Sequence, residues 1–215
     1  MPSLGTLLAF AGAAIVLIVV PGPAVLYIVG RSVSQGRGHG LVSALGVATG
    51  VLVHTAAAAG GVSVIVARSA LAFSALKYVG AAYLAYLGVY KIRRPSTLSA
   101  AIAPGGPRFG LRRTYLQGFV VNVLNPKTAL FFLALLPQFV DTHRGAAAPQ
   151  IVVLGSLFGA LALVSDSTWA LVSSAVADRL RRSERTLRRL DRGAGVLFVG
   201  LGLLAAAGHR PSTKH

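Results

Sequence analysis

The chain has no cysteine, 5 acidic residues against 21 lysines and arginines, and a single methionine and a single tryptophan in 215 residues. Without thiols it forms no disulfide, carries no thiol redox chemistry and offers no thiolate to a metal. The shortage of acids leaves 12% charged residues, about half the share of an ordinary soluble domain. That is too little charge to coat a compact globule in water, so a soluble enzyme is not expected. Short strands of alternating polarity are also missing, which argues against a membrane barrel.

What is present is apolar. Hydrophobic residues make up 54% of the chain, and they come in runs at about 4–30, 41–66, 69–90, 116–140, 150–177 and 193–208. About 20 residues at 1.5 Å per residue cross the hydrocarbon of a bilayer, and only the last run is marginal by that measure. The reading is an all-α polytopic membrane protein with six transmembrane helices. The first run lacks a basic leader and continues past Pro21-Gly22-Pro23, so it is expected to stay in the protein rather than act as a signal peptide.

The net charge of +16 invites a nucleic-acid partner. The basic residues are placed otherwise, in short links between apolar runs. Arg31 and Arg37 follow the first run, and Lys91, Arg93, Arg94, Arg108, Arg112 and Arg113 follow the third. Arg179, Arg181, Arg182, Arg185, Arg188, Arg189 and Arg192 follow the fifth, while the other links and the C-terminal end hold Arg68, Arg144, Arg210 and Lys214. The positive-inside bias then puts the odd links in the cytoplasm and both termini outside, with the lipid bilayer as partner and no nucleic acid. The link at about 93–114 is rich in proline and glycine and reads as a loop. It separates one half of the chain, about 1–92, from another, about 115–210, within a single transmembrane domain.

Two runs are interrupted deep inside. Proline removes an amide donor and clashes with the carbonyl four residues back, so Pro21 and Pro23 should free the carbonyls of Leu17 and Val19, and Pro126 that of Asn122. Such carbonyls survive at membrane depth only against protein or a wet cavity. The breaks open the first and fourth spans, the corresponding spans of two three-span halves. An odd number of spans inverts the second half, and paired Gly/Pro interruptions at matching positions point to a site at the midplane. The half-helices after Pro23 and Pro126 would then begin at one place, their free amides suited to a carboxylate and the freed carbonyls nearby to an ammonium. The alternative is that the prolines only kink packed helices.

Few ionisable residues fall within the runs. Asp166 is the only acid there and carries Trp169 and Ser173 on its helical face. It reads either as a proton-coupling carboxylate or as the fixed partner of Lys127 or Lys77. Lys127, in the first turn after Pro126, calls for a nearby anion, whereas Lys77 could snorkel to the interface. His54 reads as a hydrogen-bonded packing residue or a proton relay. The pairs Gly46/Gly50 and Gly155/Gly159 suit close helix packing, and Tyr83, Tyr86 and Tyr90 suit an interfacial belt.

The stretch Pro21-Gly22-Pro23 through Gly36-Arg37-Gly38-His39-Gly40-Leu41, with Leu45-Gly46 and Gly50, resembles the N-terminal signature of the LysE/RhtB amino-acid exporter family. Asn122-Val123-Leu124-Asn125-Pro126-Lys127, with Phe131-Phe132 and Leu136-Pro137-Gln138-Phe139, resembles its fourth-helix signature, and Asp166 with Trp169 its fifth. The resemblance implies a cytoplasmic-membrane exporter that moves amino acids or close analogues outward on the proton gradient. In one departure, Ala24 stands where family members often carry Asn or Asp, which points to a less polar substrate.

The expected architecture is therefore two inverted three-helix repeats with broken helices 1 and 4. Pro21, Gly22, Pro23, Asn122, Asn125, Pro126 and Lys127 shape the substrate site, and Asp166 is the coupling carboxylate. Amino acid and protons are the expected partners, with a homo-oligomer left open and no cofactor or bound metal. Divalent-cation export and a membrane scaffold without transport are the rival readings.

Overall fold

The computed structural model describes residues 1–62 and 109–177, with isolated positions at 78, 82, 85, 86, 89, 93, 196, 199, 200 and 203. The expected third and sixth spans, Lys77, Tyr83, Tyr90 and the seven-arginine link at 178–192 therefore lie outside the described residues, apart from those isolated positions. Of the tyrosines expected at an interface, Tyr86 is helical and exposed. Among the described residues there is helix and no strand.

Helix α1, Leu4–Val19, starts on a Ser3 cap whose hydroxyl accepts from the Thr6 amide. It stops where Val20 turns extended ahead of Pro21, and α2, Pro23–Gln35, resumes with proline at its first position and a bend of 53°. This is where proline belongs in a helix, because its missing amide would have no partner there. Gly36, at φ 88°, ends α2 in a conformation that only glycine adopts easily and reverses the chain into α3, Arg37–Ala57. A π-helical turn, Ala58–Val62, extends α3.

The second described segment repeats the first event. Helix α4, Leu111–Val123, gives way at Asn125-Pro126 to α5, Pro126–Leu130, again with proline at the first position. A π turn at Phe131–Leu135 and a 3₁₀ turn at Leu136–Phe139 continue α5, and the whole is bent by 42° against α4. A second 3₁₀ turn, Thr142–Arg144, leads to α6, Ala147–Ala175.

By length and hydropathy, Arg37–Gly61 and Ala147–Ala175 can each cross a membrane, and each bent pair can count as one further span. The described residues thus hold two to four of the six expected spans. The observed helices begin three to five residues before the apolar runs do, at Arg37, Leu111 and Ala147 instead of 41, 116 and 150. The expected loop at 93–114 accordingly ends early, with Arg112 and Arg113 already in the first turn of α4. Hydropathy marks where apolar residues stop, whereas backbone hydrogen bonding continues through the polar headgroup zone.

Glycines set how close these helices come. A Cβ on Gly46 would lie 2.2 Å from the Tyr115 carbonyl oxygen, and one on Gly118 would lie 2.7 Å from that of Ser43, so α3 and α4 touch backbone to backbone. On the opposite face of α3, Gly155 of α6 receives the Thr55 side chain. Towards the α1 N-terminus, the bundle is filled by Phe10, Phe131, Phe132 and Phe158, with ring centres of Phe131 and Phe158 4.9 Å apart.

At the arginine-bearing end, α2 is latched to the start of α4. The Tyr27 hydroxyl donates to the Thr114 carbonyl at 2.8 Å, Gln35 donates to the Phe109 carbonyl at 3.0 Å, and Arg31 reaches Gln117 at 3.5 Å. The Phe109 ring carries two guanidinium groups, those of Arg31 at 4.3 Å and Arg113 at 4.1 Å from its centre.

Candidate functional site

The two breaks meet through Lys127. This residue follows Pro126, so the first turn of α5 fixes its backbone, and the Asn125 side-chain oxygen accepts its amide at 3.1 Å as a helix cap. Its ammonium group crosses to the other break and donates to the Val20 carbonyl at 2.6 Å. The partner carbonyl is that of Val20, not of Leu17 or Val19, because the chain leaves the helical conformation at Val20 (ψ 120°) and turns that oxygen away from α1.

Gly22 makes the crossing sterically possible. A Cβ there would stand 2.9 Å from Cδ of Lys127, while its φ of −109° is open to any residue. Glycine is needed here for space and not for backbone freedom. The freed carbonyl of the second break is also accounted for, since Asn122 accepts from His54 at 2.9 Å. A carbonyl can only accept, so the His54 ring carries its proton on Nε2. His54 is thereby a hydrogen-bonded packing residue of the break.

Between the breaks lies a cavity of about 30 Å³, lined by Gly22, Asn122, Asn125, Lys127, Thr128 and Asp166, with Leu17, Ala24, Val47, Val51, Phe158 and Ala162 among its apolar walls. By volume it holds about one or two waters and no amino acid. Pro21 is buried beside it, whereas Pro23 and Pro126 are exposed and line none of it. The prolines make the breaks, and the residues next to them face the space.

Lys127 and Asp166 are 5% and 4% exposed, a buried cation and a buried acid on one cavity. Lys127 is the charge that acts on Asp166, yet among the described residues no cation reaches contact distance of its carboxyl group. The direct pair with Lys127 is therefore not formed here, since the ammonium is turned to Val20. The other partner considered, Lys77, lies outside the described residues. Asn122 is divided: its side-chain oxygen accepts from the Thr128 hydroxyl at 3.1 Å, and its amide nitrogen is buried with no partner among the described residues.

Thr128 and the apolar wall were not singled out from the sequence. Thr128 carried a signal, as a polar side chain one residue beyond Lys127. Val47, Val51, Phe158 and Ala162 carried none, because an apolar residue facing a cavity is written like one facing lipid. Trp169 and Ser173, on the Asp166 side of α6, serve packing: Trp169 lies on Val25, Val29 and Val33, and the Ser173 hydroxyl donates to the Trp169 carbonyl.

The chain is similar over nearly its full length to known membrane proteins. It is 32% identical over 200 residues to an uncharacterized membrane protein of Vibrio cholerae serotype O1, covering 93% of this chain and 95% of that one. It is 29% identical over 190 residues to a homoserine/homoserine lactone efflux protein of Salmonella typhimurium (88% and 90% covered). It is 28% identical over 194 residues to a threonine efflux protein of Salmonella typhi (88% and 91%). No solved structure matches it. Residues 15–208 match the family model described as LysE type translocator. The chain belongs to that family and is a multi-pass membrane protein.

Proposed function

We propose that the protein is a secondary transporter that exports amino acids or close analogues across the cytoplasmic membrane, driven by the proton gradient, with the cavity between the two breaks as its substrate site. The single observation that carries this reading is the joining of the breaks: a lysine from one donates to the carbonyl of the other beside a buried acid. Buried opposite charges that do not touch each other are an arrangement in which a zwitterion fits. Its carboxylate takes Lys127 and the Asn122 amide, and its ammonium takes Asp166.

Two bends of similar size, each with proline at the first position of the following helix, support the inverted-repeat reading with the breaks at corresponding places. Because the cavity admits only water in this conformation, substrate entry requires the half-helices to separate. Asp166 is the group assigned to proton coupling. Efflux relatives of nearly equal length support the direction of transport.

The test is an efflux screen. Cells lacking their own exporters are loaded with amino acids as dipeptides, and the protein is expressed from a plasmid. At least one amino acid should leave faster than from control cells. Unchanged efflux of all twenty, with the protein present in the membrane, removes the reading and leaves divalent-cation export or a scaffold. In Asp166→Asn, proton-dependent export should fall at least about tenfold with membrane levels intact. Export that still follows the proton gradient in that variant takes the coupling role away from Asp166.

A further inference from the structure

Resting on the reading of the central cavity as an amino-acid site, we infer that the solute carried is a neutral amino acid with a small aliphatic side chain. The cavity's polar groups are few, and most are already engaged. The Asn125 oxygen caps Lys127, the Thr128 proton goes to Asn122, and the Lys127 ammonium spends one proton on Val20. Three features stay directed to a ligand. They are the buried Asn122 amide nitrogen without a partner among the described residues, the Asp166 carboxyl and the positive charge of Lys127.

One acceptor of negative charge and one of positive charge are what the α-carboxylate and α-ammonium of a single amino acid consume. The rest of the wall is Leu17, Ala24, Val47, Val51, Phe158 and Ala162. A basic side chain would bring a second ammonium beside Lys127 with only Asp166 to answer both. An acidic one would set a second carboxylate against Asp166. Neither finds a partner in the wall, and an unpaired buried charge is the most strongly rejected kind of group.

A hydroxyl is rejected less. An apolar pocket discriminates against an isostere that adds a hydroxyl by at most about a hundredfold, so valine should outrun threonine by roughly tenfold. This separates the chain from the relatives named for threonine and homoserine. Ala24 belongs to this wall. It is 7% exposed on the first turn after Pro23, where a hydroxyl on its Cβ would enter the cavity opposite no existing donor.

The experiment compares initial efflux rates of alanine, valine, threonine, homoserine, lysine and glutamate, each loaded as a dipeptide, from exporter-deficient cells carrying the full chain. Alanine and valine should exceed the control, lysine and glutamate should not, and valine should lead threonine by about tenfold. Ala24→Ser should shrink that lead to about threefold or less. Where this variant does not reach the membrane, Val51→Thr, isosteric on the same wall, makes the same prediction.

Threonine or homoserine leaving as fast as valine, or any export of lysine or glutamate, overturns the inference while the amino-acid reading stands. A valine-to-threonine ratio unmoved in the membrane-localised variants removes the wall from specificity and overturns it too. No efflux of any of the six, with the protein in the membrane, overturns the inference and counts against the reading beneath it.

Discussion

At the residue scale the molecule turns on Lys127. One side chain satisfies the Val20 carbonyl, spans the gap above Gly22 and supplies the positive charge facing Asp166. Lys127→Met keeps much of the apolar stem and removes the ammonium. It should leave Asp166 uncompensated and one carbonyl without its donor, a loss of about 3–5 kcal/mol by analogy with broken buried pairs. The checks are the melting temperature of the detergent-solubilised protein and efflux, both of which should fall; a variant with unchanged melting and export would show that the ammonium is dispensable. Gly22→Ala tests the space instead of the charge. Its Cβ would press on a flexible methylene, so the protein should fold, while export drops about tenfold as the ammonium is moved off Val20. Wild-type export in that variant would mean that the lysine has room to spare. These residues were legible in the sequence because each is chemically out of place: a lysine and an acid in apolar runs, and glycine between two prolines. His54 was open between relay and packing until its contact with Asn122 settled its place.

At the element scale the close helix pairs carry the fold. In water such helices would be driven together by burial, but lipid is as apolar as leucine, so what remains is contact at short range. Gly46 and Gly118 are where α3 and α4 achieve it. Gly46→Val would drive a branched side chain into the Tyr115 carbonyl, with backbone and not a mobile side chain in the way. It should lower stability by about 1–3 kcal/mol or more, read as early aggregation on heating in detergent. Gly12, whose Cβ would meet nothing within 4 Å, is the control, and Gly12→Ala should leave melting unchanged. Equal effects at the two sites would deny the close approach its role. The Gly46/Gly50 spacing announced this contact, but Gly159 of the second pair meets only Val51 Cγ1, at an ordinary 3.7 Å. Spacing identifies a face, not the partner that fills it. Helix starts were misread for a related reason: the residues 37–40, 111–115 and 147–149 are helical through backbone bonding that hydropathy does not register.

At the scale of the whole molecule, the cavity is shut on two sides by unlike means. Towards the α1 N-terminus the aromatic cluster of Phe10, Phe131, Phe132 and Phe158 fills the interior. Towards the arginine-bearing end the closure is polar: Tyr27 on Thr114, Gln35 on the Phe109 carbonyl, and Arg31 on Gln117 and the Phe109 ring. Hydrogen bonds at a wet end exchange readily with water, so their net contribution is about 0.5–1.5 kcal/mol each, small enough to be made and broken in a working cycle. An aromatic cluster gives up buried area when it opens, which makes the latch the easier of the two to release. If export needs α2 to part from α4 there, joining them covalently must stop it. The absence of native cysteine allows a clean test, because Arg31→Cys with Gln117→Cys places the only two thiols in the chain on facing sides of the latch. Treatment with a cleavable bifunctional thiosulfonate should halt efflux in the double variant, and a reductant should restore it, while either single variant is indifferent to both reagents. Export that persists in fully cross-linked protein would show that α2 and α4 stay together throughout, and the opening would then have to be sought at the aromatic end.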